Sequence, residues 1–232
     1  MTTLADVLVD TFRAELIDLI GYVISESLVD DQNIPARRSR GNDIVVLQSD
    51  YWDSAPRLQR NIAYAQLHSE LVEARAYDLR FLDGAIVQMQ YEFSEKSGGL
   101  LRSRAAFLPA PDLTAFQEQP DLYLLDEVYG DVIDLRVVAV PLRFDFDSRP
   151  TVAKDLHHPQ SHLTLGQYPH CRVALTSAIT PYYFMELILR SFYRTKDWLC
   201  TDDLPAPRVR MNKTITAREE SLVHLGLPLG VL

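Results

Sequence analysis

Four of the six histidines, His157, His158, His162 and His170, fall in one short stretch of the chain. The surrounding sequence reads LRFDFDSRPTVAKDLHHPQSHLTLGQYPHCRV, with Arg143, Asp145 and Asp147 just before them and Arg172 just after. Imidazole exchanges a proton near neutral pH, guanidinium grips phosphate oxygens, and a carboxylate orients either one. A set with His162 as acid and base, Arg143 and Arg172 on a phosphate, and Asp145 as the orienting group could cleave RNA without a metal. Asp145 and Asp147 with two histidines could instead hold a divalent metal. The run from His157 to His162 is not the helical zinc motif, because Pro159 breaks the i, i+4 geometry. The third reading is a solvated polar face with cross-strand Arg–Asp pairs, each worth about 0.2–1 kcal/mol.

Strands must bring these groups together. Side chains alternate between the two faces of a strand. Leu142, Phe144 and Phe146 point to the core, so Arg143, Asp145 and Asp147 share the other face. Leu163 and Leu165 point inward, leaving His162 and Thr164 outward. Cys171, Val173 and Leu175 point inward, leaving Arg172 outward and Cys171 as a small buried hydrophobe. If the three strands are neighbours, one sheet face displays Arg143, Asp145, Asp147, His162, Thr164 and Arg172. Arg102, Arg104, Gln88, Gln90 and Glu92 would extend it.

The remaining elements follow from periodicity. Leu4, Leu8, Phe12, Leu16, Leu19, Ile20, Val23 and Ile24 predict one amphipathic helix over 3–28, with Asp6, Asp10, Glu15, Asp18 and Glu26 on its polar side. Residues 30–42, with Pro, Gly and three arginines, predict a linker, and 43–48 a short strand. Helical spacing returns over 58–75. Asp83-Gly84 is a hairpin turn between the strand leading to Leu82 and the alternating run Val87, Met89, Tyr91, Phe93. Ser97-Gly98-Gly99 turns the chain into a return strand through Phe107. The acidic stretch 112–134 is expected to be irregular, with the next strand from 137. Thr180-Pro181 suits a helix start, with Thr at the N-cap and Pro at the first position. Thr216-x-x-Glu219 is a capping box for a last short helix. The tail LPLGVL is apolar enough to dock on the body or on a partner.

Composition narrows the function classes. The balance of 23 basic against 32 acidic residues gives a net charge of −9, which disfavours strong non-specific nucleic-acid binding but permits a local basic patch. Two cysteines, Cys171 and Cys200, are too few for a disulfide framework or a cysteine zinc site. No signal peptide and no apolar run of membrane-spanning length is visible, so the cytoplasm is expected. Phosphate-binding P-loops, dinucleotide fingerprints and the nucleophile elbow of α/β-hydrolases are absent.

The series YEF (91–93), FLPAP (107–111), RFDFD (143–147), HPQSHLTLG (158–166) and CRV…T-P-x-x-F…ILRSFY (171–193) resembles the bacterial family called domain of unknown function 2290, over residues 60–195. The resemblance brings no activity with it. From RFDFD through the histidines the chain is also similar to small TumE-type toxins of bacterial toxin–antitoxin pairs, which place a His-Pro/His cluster between strands and end in a helix. Together these imply a bacterial setting of a mobile-element or phage-defence kind.

The expected fold is α+β, an antiparallel sheet of about five or six strands with N- and C-terminal helices packed on one face. One domain is expected, with an amphipathic helix over 1–29, a linker over 30–42, the α+β core over 43–200 and an extension over 201–232. The expected function is a non-enzymatic accessory or interaction protein of a bacterial multi-gene system, of a phage-defence or toxin–antitoxin-like kind. A protein partner or a second copy would dock through Leu4, Leu8, Phe12 and Leu16. The alternative is a metal-independent RNase-type toxin, with His162, Arg143 and Asp145 catalytic and Arg172, Arg102 and Arg104 binding the phosphates of RNA or another nucleic acid. Neither reading calls for a cofactor, a metal or a membrane. Positive potential over the sheet face would favour the nucleic-acid reading.

Overall fold

The N-terminal apolar spacing folds as helix α1, Leu4–Ser25, which buries Val9, Phe12, Leu16, Leu19, Ile20 and Val23. In the computed structural model the described residues are 4–53, 62–111, 140–168, 170–193 and 201–230. The acidic stretch 112–134, the strand start at 137–139 and Cys200 therefore lie outside the described residues.

Nine strands form one antiparallel sheet among the described residues: β1 Val29–Gln32, β2 Ala36–Ser39, β3 Ile44–Gln48, β4 Leu79–Phe81, β5 Ile86–Ser94, β6 Leu100–Leu108, β7 Leu142–Asp147, β8 Ser161–Leu165 and β9 Arg172–Ala174. Their order is β1-β4-β5-β6-β7-β8-β9. β3 pairs with the far half of β5 and carries β2 on its outer side. The strand count exceeds five or six partly because 30–42, read as a linker, supplies edge strand β2 and most of β1. Both strands alternate half-buried and exposed residues, and their charged sequences, VDDQ and ARRS, hide the pattern. Charge on an edge strand also discourages pairing with another chain.

Helix α1 and helix α3, Pro181–Phe192, cover one face of the sheet. They pack Phe12, Leu16, Phe184 and Ile188 against Val87, Tyr91, Phe107 and Phe144. The Thr180 hydroxyl accepts the Tyr183 N–H at the start of α3, the N-cap that Thr-Pro predicts. Helix α2, Tyr64–Glu73, packs Leu67 and Leu71 on the opposite face against Ile86, Ala106 and Leu108, covering only one end. The remainder of that face is left to polar side chains.

Glu15, expected on the polar side of α1, points inward and is 2% exposed. Its Oε1 accepts the Tyr182 N–H (3.0 Å), and Oε2 accepts those of Arg208 (2.6 Å) and Val209 (3.1 Å). Burial pushes its pKa up, against the lowering effect of these bonds. One carboxylate thus ties α1 to the start of α3 and to the C-terminal segment. That segment docks on the body: Leu225 bridges to Leu175 and Leu229 to Met211, and Leu227 packs against the core. Among the described residues, no helix is long and apolar enough to cross a membrane.

Candidate functional site

β7, β8 and β9 are consecutive neighbours, so the predicted residues do share a face. Arg143 stands opposite Thr164, and Thr164 opposite Arg172. In the next row Arg104 stands opposite Asp145, and Asp145 opposite His162. Arg102 is paired across the strands with both Glu92 and Asp147.

The face is organised by ion pairs. Asp145 lies between two guanidinium groups, with Arg104 Nε 2.9 Å from Oδ1 and Arg143 Nε 2.6 Å from Oδ2. Burial pushes the Asp145 pKa up, but the two arginines outweigh it and hold the carboxyl below its ordinary value. Glu92 forms a second triad, between Arg40 (3.1 Å) and Arg102 (2.5 Å). Arg149 closes on Asp147 at 2.5 Å. Each triad carries one more cation than carboxylate, and the arginine side chains are 31–45% exposed. Glu92 was expected to extend this face, whereas Arg40 was not among the predicted site residues. The only signal for Arg40 was its place in the Arg-rich segment 36–40.

His162 departs from the expected acid–base role. It points away from the apolar core, yet the segment before β8 covers it and leaves it 3% exposed. Its Nδ1 donates to the Pro159 carbonyl at 2.9 Å, which leaves Nε2 without the proton, 3.9 Å from Asp145 Oδ2. Burial pulls its pKa down to about 4, opposed by the Pro159 bond and Asp145 and helped by the nearby Arg172 guanidinium. At neutral pH it is an uncharged, enclosed imidazole with no proton to give on the Nε2 side.

The other three histidines gather elsewhere. A cleft of about 530 Å³ is lined by Lys154, His157, His158, His170 and Arg172, with Val152 and Leu156 as its apolar part. Lys154 and His158 pair backbone to backbone (2.7 and 2.9 Å), making a tight turn with Leu156 at φ 65°. The capping-box residue Glu219 braces that turn. One oxygen closes the box on the Thr216 N–H, and the other accepts the Leu156 N–H at 3.3 Å. Asp155 is turned aside, accepting from Thr216 Oγ1 (2.6 Å) and Arg218 (3.0 Å). Among the described residues no carboxylate lines the cleft.

Of the predicted phosphate binders, Arg102 and Arg104 are paired with carboxylates, whereas Arg172 reaches, among the described residues, only the His157 carbonyl, at 3.3 Å. Cys171 is half-buried at the start of β9 rather than in the core. Of the predicted docking residues, Phe12 (0% exposed) and Leu16 (1%) are occupied by the chain's own core, Leu8 packs half-buried against it, and the Leu4 side chain lies outside the described residues. The apolar residues α1 leaves outward are Val7, Ile17 and Ile24. Among the described residues no group of three histidines, cysteines or carboxylates is placed to hold a metal ion.

A family described as "Uncharacterized conserved protein (DUF2290)" matches residues 28–227. The chain belongs to this family. The DUF2290 match takes in all nine strands, the histidine turn and the capping box that braces it, a wider span than the motifs over 60–195. No curated protein matches the chain, and no solved structure does.

Proposed function

We propose that this DUF2290 protein is a non-enzymatic, cytoplasmic accessory component of a bacterial multi-gene system. It works by binding a nucleic-acid partner along its polar sheet face. The observation that carries this reading is the pair of Arg–carboxylate–Arg triads on one face of a chain whose net charge is −9. A local excess of guanidinium groups on an acidic molecule concentrates positive potential where phosphates would lie, and the overall charge discourages contact elsewhere. The bacterial setting, of a phage-defence or toxin–antitoxin-like kind, is what the family resemblance and the likeness to TumE-type toxins imply.

Binding rather than cleavage is supported by His162, which is enclosed and uncharged at neutral pH. The metal-independent RNase reading retains one favourable observation, the grouping of His157, His158 and His170 beside Arg172. Its acid and base would have to come from that cleft and not from His162.

Fluorescence anisotropy with a labelled single-stranded RNA tests the proposal. Binding should be saturable at low salt and weaken linearly in log salt. The slope should fall by about one for Arg104→Ala and for Arg143→Ala. The RNA should be recovered at full length, and induced expression should leave bacterial growth unchanged. No binding at low salt would remove the nucleic-acid partner. RNA decay and growth arrest in the wild type but not in folded cleft variants would replace the proposal with the toxin.

A further inference from the structure

We infer that the cleft between the 152–158 turn and β9 is a binding site for a phosphomonoester, the terminal phosphate of a nucleotide or of a nucleic-acid end. The inference rests on the proposed function only in treating the cleft as a place of binding. It adds a discrete site beyond the sheet face.

Five lining residues carry basic groups, and the acids nearest in sequence are engaged elsewhere: Asp155 with Thr216 and Arg218, Asp147 with Arg149, and Asp145 with Arg104 and Arg143. Lys154 makes no ion pair among the described residues. His158 Nδ1 donates to the Val152 carbonyl at 3.0 Å, which fixes the ring in the cleft wall. Among the described residues, Arg172 Nε is buried without a hydrogen-bond partner, and so is the hydroxyl of Thr164, its neighbour across the β8–β9 pair. Buried polar groups are rarely left unpaired without a reason, and an unmet ligand is one such reason.

The donor set suits phosphate. A phosphomonoester near neutral pH carries close to two negative charges and three strong acceptor oxygens. It needs several donors converging from different directions, which a guanidinium, an ammonium and imidazole N–H groups supply. A divalent metal is the poorer match, because Lys154 and Arg172 stand among the histidines as cationic side chains and, among the described residues, no carboxylate offsets them. The volume of about 530 Å³ is that of a small-ligand site. Leu156, held at positive φ by the tight turn and by Glu219, fits a loop whose strain is held in place by its surroundings.

Isothermal titration calorimetry at low salt, with inorganic phosphate, AMP and adenosine as probes, tests the site. A 5′-phosphorylated RNA trinucleotide and its 5′-hydroxyl form separate a nucleic-acid end from a free nucleotide. Phosphate and AMP should bind and adenosine should not, and the phosphorylated trinucleotide should bind at least tenfold tighter than the unphosphorylated one if the end is the ligand. Arg172→Ala should weaken AMP at least tenfold. Lys154→Ala, an exposed change that removes no side-chain hydrogen bond or ion pair among the described residues, should weaken it several-fold with an unchanged melting temperature. Arg190→Ala, on the helix covering the other face, should leave AMP binding intact. No saturable binding of either phosphate or AMP, or AMP binding indifferent to both Arg172→Ala and Lys154→Ala, overturns the inference. AMP binding without RNA binding keeps the site and removes the nucleic-acid partner. RNA binding that ignores both the 5′-phosphate and Arg172, with no AMP binding, does the reverse.

Discussion

Replacing Glu15 with alanine should destabilise this protein more than any other single change on α1 outside its apolar stripe. The side chain is 2% exposed and accepts three backbone N–H groups, from Tyr182, Arg208 and Val209. Removing the acceptor leaves buried donors unmet, at about 1–3 kcal/mol each when water cannot reach them. Val209 is buried and Tyr182 half-buried, whereas Arg208 lies at the surface, where water can replace the bond. The desolvation that raises the Glu15 pKa is recovered in the variant and offsets part of the loss. The net expectation is a loss of about 3 kcal/mol, a large share of the roughly 5–15 kcal/mol that a domain possesses. For a chain of this size that is a fall of about 9 °C in Tm. Urea unfolding should show a lower midpoint at unchanged slope, since the surface exposed on unfolding stays the same. Amide hydrogen exchange should quicken selectively at Tyr182 and Val209. A loss under about 0.5 kcal/mol, or exchange unchanged at both amides, would refute the clamp.

Two further outcomes follow from the polar face. The fall of the His162 pKa from 6.5 to about 4 means the folded state resists a proton that the unfolded chain accepts, a difference of about 3 kcal/mol. That stability is fully present above pH 6.5 and is lost as pH drops toward 4. The stability of wild type relative to His162→Asn should therefore shrink by about that amount between pH 7 and pH 4, as measured by urea titrations, and a pH-independent difference would contradict the burial of the ring. Asp145→Ala leaves Arg104 and Arg143 without their shared carboxylate. It should cost about 2 kcal/mol, below the range for a fully buried pair because the arginines are partly exposed. The same variant should bind single-stranded RNA more tightly at low salt, and weaker binding would argue against the sheet face as the interface.

Period-two alternation in RFDFD, SHLTL and the run from Gln88 to Glu92 made the polar face legible, because a strand can point successive side chains only to opposite sides. The N-cap at Thr180 and the capping box at Thr216 were legible for a similar reason: each is a local hydrogen-bond pattern completed within one turn. Local pattern did not reveal that Glu219 also reaches Leu156, 63 residues away in sequence, and so holds the histidine turn in place.

The amino-acid sequence was enough to assign strand faces, the helix starts after Thr180 and Thr216, and the α+β class, since these depend on neighbours one to four positions apart; the helix expected over 58–75 instead runs over Tyr64–Glu73. Tertiary structure alone decided the rest. It drew charged edge strands out of an apparent linker, because their pairing partners β3 and β4 lie elsewhere in the chain. It turned Glu15 inward by bringing three orphan N–H groups to it from residues 182, 208 and 209. It also divided the histidines. His162 is sealed beneath its own loop and cannot serve as acid or base at neutral pH, while His157, His158 and His170 open with Arg172 onto a cleft that no described carboxylate lines. A pKa and an ion pair depend on distance and solvent exposure, which are properties of the folded chain rather than of its order of residues.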